Sequence, residues 1–113
     1  MSKWTIKYTK TAFAELDDIY KYIAEDLLVP EISMAQTRRI MKAIAALDEM
    51  PLRNTLYDKE PWKSRGLRKM PVDNYIVFYY ADDKTSEVVI MHIFYGGRNI
   101  ADILKNEALK KDD

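Results

Sequence analysis

The chain has no cysteine, one histidine, three glycines and four prolines in 113 residues. Without thiols there is neither a disulfide nor a thiol nucleophile, and a structural zinc site, which draws mainly on Cys and His, lacks its usual ligands. Three glycines leave little room for a glycine-rich phosphate loop, and neither a GxSxG elbow nor an HExxH pair is present. No cofactor or metal is expected. Long hydrophobic runs are also missing: the longest uncharged apolar stretches, around Tyr75–Ala81 and Val88–Tyr95, fall far short of the ~20 residues that span a bilayer. The first four residues, Met1 to Trp4, hold no apolar stretch of the signal-peptide kind. These absences predict a cytoplasmic protein with no membrane partner.

Net charge is absent as well, with 18 basic and 18 acidic residues, which argues against a uniform attraction to nucleic acid. The distribution is uneven. Residues 1–50 carry 7 basic and 8 acidic side chains, residues 51–80 carry 6 and 3, and residues 81–113 carry 5 and 7. The basic excess lies in the middle. The size and the 48% hydrophobic content predict a single folded domain spanning 1–113.

Trp4, Ile6 and Tyr8 alternate with polar residues at the period of a half-buried strand. From Ala12 the period changes. Phe13, Leu16, Ile19 or Tyr20, Ile23 and Leu27 recur at three and four residues, while Glu15, Asp17, Asp18, Lys21, Glu25 and Asp26 face elsewhere, as in an amphipathic helix opened by Thr9 or Thr11. Val29-Pro30 interrupts it, and Ser33 with Gln36 reads as a capping box for a second helix whose stripe is Met34, Thr37, Ile40, Met41, Ile44 and Leu47. The two helices should pair as a hairpin.

Residues 51–63 have no period and two prolines and read as a surface loop. Strands are predicted at Ser64–Met70, Tyr75–Ala81 and Glu87–Tyr95, with links short enough for an antiparallel meander. Ile100, Ile103, Leu104 and Ala108 mark one face of a terminal helix capped by Asn99. The predicted class is α+β in the order β-α-α-β-β-β-α, with the helical hairpin on one face of a small sheet. Strands 75–81 and 88–95 are apolar at nearly every position, so the second face needs a cover too: the terminal helix and long loop, a partner protein, or both.

Arg65, Arg68, Lys69, Lys59, Lys63 and Arg98 are candidates to converge at one end of the sheet, where guanidinium groups suit phosphate. The plainer alternative is a solvated surface paired with Asp58, Glu60 and Asp73. Tyr57, Trp62 and Tyr95 offer stacking platforms for bases, although a Trp beside a Pro commonly packs instead. His92 is the one side chain that titrates near neutrality, which fits a general acid/base or a structural residue in an apolar strand.

Five segments in this order resemble the RelE/ParE superfamily of toxins from type II toxin–antitoxin systems. They are LDDIYKYIAEDL (Leu16–Leu27), IMKAIAALDEMP (Ile40–Pro51), the GLR of Gly66–Arg68, NYIVFYY (Asn74–Tyr80) and HIFYGGRNIADIL (His92–Leu104). The resemblance implies a helical hairpin on a small antiparallel sheet and an antitoxin protein as partner. It also implies one of two activities: RelE-like toxins cleave mRNA in the ribosomal A site, and ParE-like toxins poison DNA gyrase. RelE-like cleavage needs no metal, since the ribose 2′-hydroxyl attacks the adjacent phosphate with help from a base, an acid and cations.

By position, Arg98 matches a family arginine that contacts phosphate and Arg68 a basic position on the first meander strand. Ile76 stands where RelE has a catalytic arginine, and Leu104 near where it has a functional tyrosine. His92 with Tyr95 would supply an acid–base pair of the kind that relatives of RelE use. The leading expectation is thus a ribosome-dependent mRNA endoribonuclease that inhibits translation, with Arg68, His92, Tyr95 and Arg98 catalytic and Lys59, Lys63, Arg65 and Lys69 holding RNA. Its partners would be the ribosome and mRNA. The alternatives are a non-enzymatic gyrase inhibitor, which the long helix pair and the missing arginine resemble more, and an inactive relative kept for antitoxin binding. A dimer or a toxin–antitoxin hetero-oligomer is compatible with each.

Overall fold

The computed structural model describes residues 3–96 and 100–110, with side chains described through residue 105. Strand β1 (Thr5–Tyr8) alternates exposed and half-buried positions, as its two-residue period requires. Thr9 then does two jobs. Its Oγ1 accepts the Ala12 N–H at 3.0 Å, capping helix α1 (Lys10–Lys21), and donates to the Ile90 carbonyl at 3.0 Å, fixing the helix start to the sheet.

One π turn (Tyr22–Asp26) widens the end of α1, and Leu28 adopts a positive φ of 58° before helix α2 (Pro30–Ala45) begins. The capping box expected at Ser33 and Gln36 is not used. Pro30 starts the helix itself, because its fixed φ suits the first helical position and its missing N–H costs nothing there. Ser33 is therefore inside the helix and fully buried, and its Oγ donates to the Tyr20 carbonyl of α1 at 2.6 Å, pinning the hairpin. Gln36 instead donates to Asp73 at 2.9 Å.

The predicted stripe of α2 is also corrected. Ile40, Ile44 and, just beyond the helix, Leu47 are buried, but Met34 and Met41 are each 49% exposed. At 3.6 residues per turn, the methionines lie about 100° round the helix from the buried line.

Two short 3-10 turns (Ala46–Asp48 and Pro51–Arg53) lead into a loop, and a four-residue helix α3 (Trp62–Arg65) follows. A strand was expected from Ser64, but the chain is helical there until Gly66, at φ 87°, makes the left-handed turn that a side chain would resist. Strands β2 (Arg68–Val72), β3 (Tyr75–Asp82) and β4 (Glu87–Tyr95) form the antiparallel meander. β1 joins its far edge in parallel with β4, so the sheet order is β1-β4-β3-β2.

A register shift sets Tyr79 opposite Ile90 but Phe78 opposite His92, leaving Met91 as the extra residue of a bulge. Helix α4 (Ile100–Lys110) buries Leu104, with Ile100 and Ile103 packed beside it. Asn99, its expected cap, lies outside the described residues with Gly97 and Arg98, as does the Ala108 side chain.

Each face of the sheet thus has its own core. Under the hairpin, Ala12, Leu16, Ile40 and Ile44 pack on Val77, Tyr79, Val88 and Ile90. On the other face Tyr57, Trp62 and Leu67 from the loop, with Leu104 from α4, cover Phe78 and Phe94. The second face is covered by the chain's own loop and helix.

Candidate functional site

β4 outruns its neighbour. Pairing with β1 ends at Tyr8 opposite Ile90, so the β1-side edge of β4 from Met91 onward has no strand beside it. α1 crosses this edge and lays Glu15 along it. Oε1 of Glu15 accepts the Ile93 N–H at 2.9 Å, and Oε2 lies 3.1 Å from His92 Nδ1. A carboxylate only accepts, so Nδ1 carries the proton in this pair. His92 is 4% exposed, and its imidazole stacks on Phe94 with centroids 4.6 Å apart.

Tyr95 sits differently. It is 53% exposed on the hairpin side, edge-on to Tyr75 at 5.9 Å, whereas His92 stacks with Phe94 on the opposite face. The structure does not bring the expected acid–base pair together.

Arg68 and Lys69, adjacent in sequence, point to opposite faces by strand alternation: Arg68 is paired with Tyr79 and Lys69 with Phe78. The Arg68 guanidinium donates to the carbonyls of Leu52 (3.1 Å) and Asn54 (2.6 Å). Tyr79 donates its hydroxyl to the Pro51 carbonyl and accepts from Asn54 Nδ2, so this pair of side chains clamps the backbone that leaves the hairpin. Burial raises the Tyr79 hydroxyl pKa above its ordinary value, with the Asn54 contact working against it.

Two of the loop cations, Arg65 and Lys59, lie beside Trp62. Arg65 lies over its ring at 5.4 Å, Lys63 is exposed on the same short helix, and Lys59 borders a notch of about 390 Å3 that Trp62, Asp102 and Lys105 also line. Glu60, whose pKa is lowered by its hydrogen bonds from Ser64, supplies a local counter-charge. Arg98 lies outside the described residues.

A groove of about 740 Å3 lies between α1, the π turn, the start of α2 and the end of β4. Its lining is mostly apolar, including Ile19, Tyr22, Ile23, Leu27, Ile93 and Tyr95, with Glu15 and Asp18 as its acidic residues. Burial beside Tyr95 and Tyr22 raises the Tyr75 pKa. Among the described residues there is no cluster of His, Cys, Asp or Glu fit to hold a metal ion, and no helix is long and apolar enough to cross a membrane.

The residue that sequence reasoning passed over is Glu15. On a helix wheel it is one more polar position, and its main partner is a backbone N–H, which leaves no trace in a sequence.

Residues 6–100 match the family model described as the ParE toxin of type II toxin–antitoxin systems, parDE. The chain belongs to the ParE toxin family. Among solved structures it is similar to the chromosomal ParDE system of P. aeruginosa, at 21% identity and TM-score 0.67, covering 82% of this chain and 96% of that one. It is also similar to the toxin–antitoxin complex RelBE2 of Mycobacterium tuberculosis (24% identity, TM-score 0.60, 84% and 93% covered). A third is an E. coli RelE mutant in the free state (13% identity, TM-score 0.58, 98% and 99% covered). At these identities the structures share the fold. No curated protein sequence matches significantly.

Proposed function

We propose that this toxin arrests growth by binding its target, as a ParE-like inhibitor of DNA gyrase, and that an antitoxin silences it. The observation that carries the reading is the state of His92: buried, stacked on Phe94, tied to Glu15, and on the opposite face from Tyr95. A general base must reach within hydrogen-bond distance of the proton it takes, and a side chain 5% exposed offers substrate little approach. Membership of the ParE family points the same way. Arg68 acts in this reading as a structural clamp on Leu52 and Asn54.

The endoribonuclease reading keeps one observation in its favour, the cations Lys59 and Arg65 beside Trp62, which suit a phosphate backbone. The antitoxin, in turn, suits the large apolar groove beside Glu15 and Asp18, since exposed apolar surface of this kind marks an interaction site.

The purified chain is titrated into gyrase acting on relaxed plasmid. Loss of supercoiling, with accumulation of cleaved DNA, is expected. Unimpaired supercoiling alongside cleavage of messages in a translating extract would overturn the reading in favour of a ribosome-dependent nuclease.

A further inference from the structure

α2 carries two apolar lines where one suffices to hold it to the domain. Ser33, Ile40 and Ile44 form the buried line. Met34, Met41 and Ala45 form a second, which borders a groove of about 670 Å3 between α1 and α2 on the outside of the hairpin. Tyr20 closes the groove on the α1 side, and the Thr37 hydroxyl inside it is already satisfied by the Ser33 carbonyl at 2.9 Å. A single apolar stripe packs a surface helix onto its core, so the second line is surplus to folding. Methionine, flexible and polarizable, suits an adaptable contact.

The charge around this groove is one-sided. Arg38 and Lys42, one turn apart and both exposed, form the α2 rim. Asp17, on the α1 side, is already engaged by Lys21 at 3.1 Å. The rim charge left to meet a partner is positive.

We infer that this outer groove seats an acidic amphipathic helix of another protein. The helix lays apolar anchors along Met34, Met41 and Ala45, and sets carboxylates one turn apart against Arg38 and Lys42. Charge argues against a second copy of the chain, because a two-fold α2-to-α2 contact would place Arg38 and Lys42 against the same two cations. It also separates this groove from the one beside β4, whose Glu15 and Asp18 would repel the same helix. The inference stands whether the toxin's target is gyrase or RNA.

The test is a display library of amphipathic helical peptides, randomised at the polar positions and panned on the full purified chain. Selected peptides should carry Asp or Glu one turn apart beside their apolar stripe. The Arg38→Glu/Lys42→Glu double variant should weaken the best of them about tenfold or more, and lysines placed at the acidic peptide positions should restore binding to it. Met41→Asp, checked for native circular dichroism, should abolish binding, and Leu27→Asp in the other groove should leave it unchanged. Failure to select a binder, selection of peptides without acidic bias, or indifference to the Arg38→Glu/Lys42→Glu change overturns the inference. Self-association of the native chain that Met41→Asp removes overturns it too, by giving the groove to a second copy.

Discussion

The two faces of the sheet are built by different means. Beneath the hairpin the core is mainly aliphatic, made by two helices whose buried residues return at helical spacing. Beneath the loop it is aromatic: Tyr57, Trp62, Phe78 and Phe94 meet edge-on or by packing, and the covering segment has no period. The difference shows that a short domain can cover its second face with a few large side chains, each burying as much surface as several small ones. It also explains why four central residues of β3 and β4 (Val77, Phe78, Ile93 and Phe94) are apolar on alternate faces and buried on both.

The strongest way to break this comparison is to truncate one anchor in each core. Ile44→Ala should cost about 2–5 kcal/mol and Trp62→Ala about 3–5 kcal/mol in urea unfolding, because both leave cavities in packed cores. A Trp62→Ala cost well under 1 kcal/mol would mean that the loop is a loose cover and not a second core.

Glu15 joins the two faces around the β4 edge, and its loss should come next in size. Glu15→Ala leaves the Ile93 N–H and His92 Nδ1 without their acceptor, at a cost of about 1–3 kcal/mol. Hydrogen exchange at the Ile93 amide should accelerate by more than at Val88 or Ile90, which stay beside β1. Equal acceleration at all three would assign Glu15 no local role.

His92→Gln sharpens the functional side of the comparison. If the imidazole is a packed residue, this variant should lose about 1 kcal/mol of stability and still arrest growth when induced at a temperature where it stays folded. A stable, correctly folded variant without toxicity would place His92 in the chemistry.

The smallest effect is expected at Asp73. The Arg39 and Gln36 side chains donate to its carboxylate and hold its pKa below the usual 3.8. A folded pKa below the unfolded one stabilises above the unfolded value, and that contribution is lost as pH falls through the lower folded value. Asp73→Asn should therefore flatten the acid limb of a stability–pH curve only slightly, since the group is solvent-exposed. An unchanged acid limb would show that the contact contributes nothing to stability.

The hairpin, the meander and the terminal helix were legible because periodicity reports burial directly, as in Leu16, Ile40, Ile44 and Leu104. The aromatic core was not. Tyr57, Trp62 and Leu67 have no shared period, and what they cover, Phe78 and Phe94, is fixed by strand alternation later in the chain. Ser33 misled because a hydroxyl before an apolar run resembles a cap, while the helix had already begun three residues earlier at Pro30, with Val29 at the cap position. The basic cluster was legible only in part: Arg65 and Lys59 lie beside Trp62, but alternation along β2 sends Arg68 to the other face from Lys69. Glu15 was hidden altogether, since its role depends on β1 stopping at Tyr8 and on a backbone donor 78 residues away.

The most direct measurement is a map of cellular mRNA 5′ ends within minutes of inducing the chain without antitoxin, read beside the supercoiling of a resident plasmid. A toxin that acts by binding gyrase predicts growth arrest with messages intact and the plasmid relaxed. New 5′ ends at fixed positions within translated codons, with plasmid supercoiling unchanged, would contradict that account.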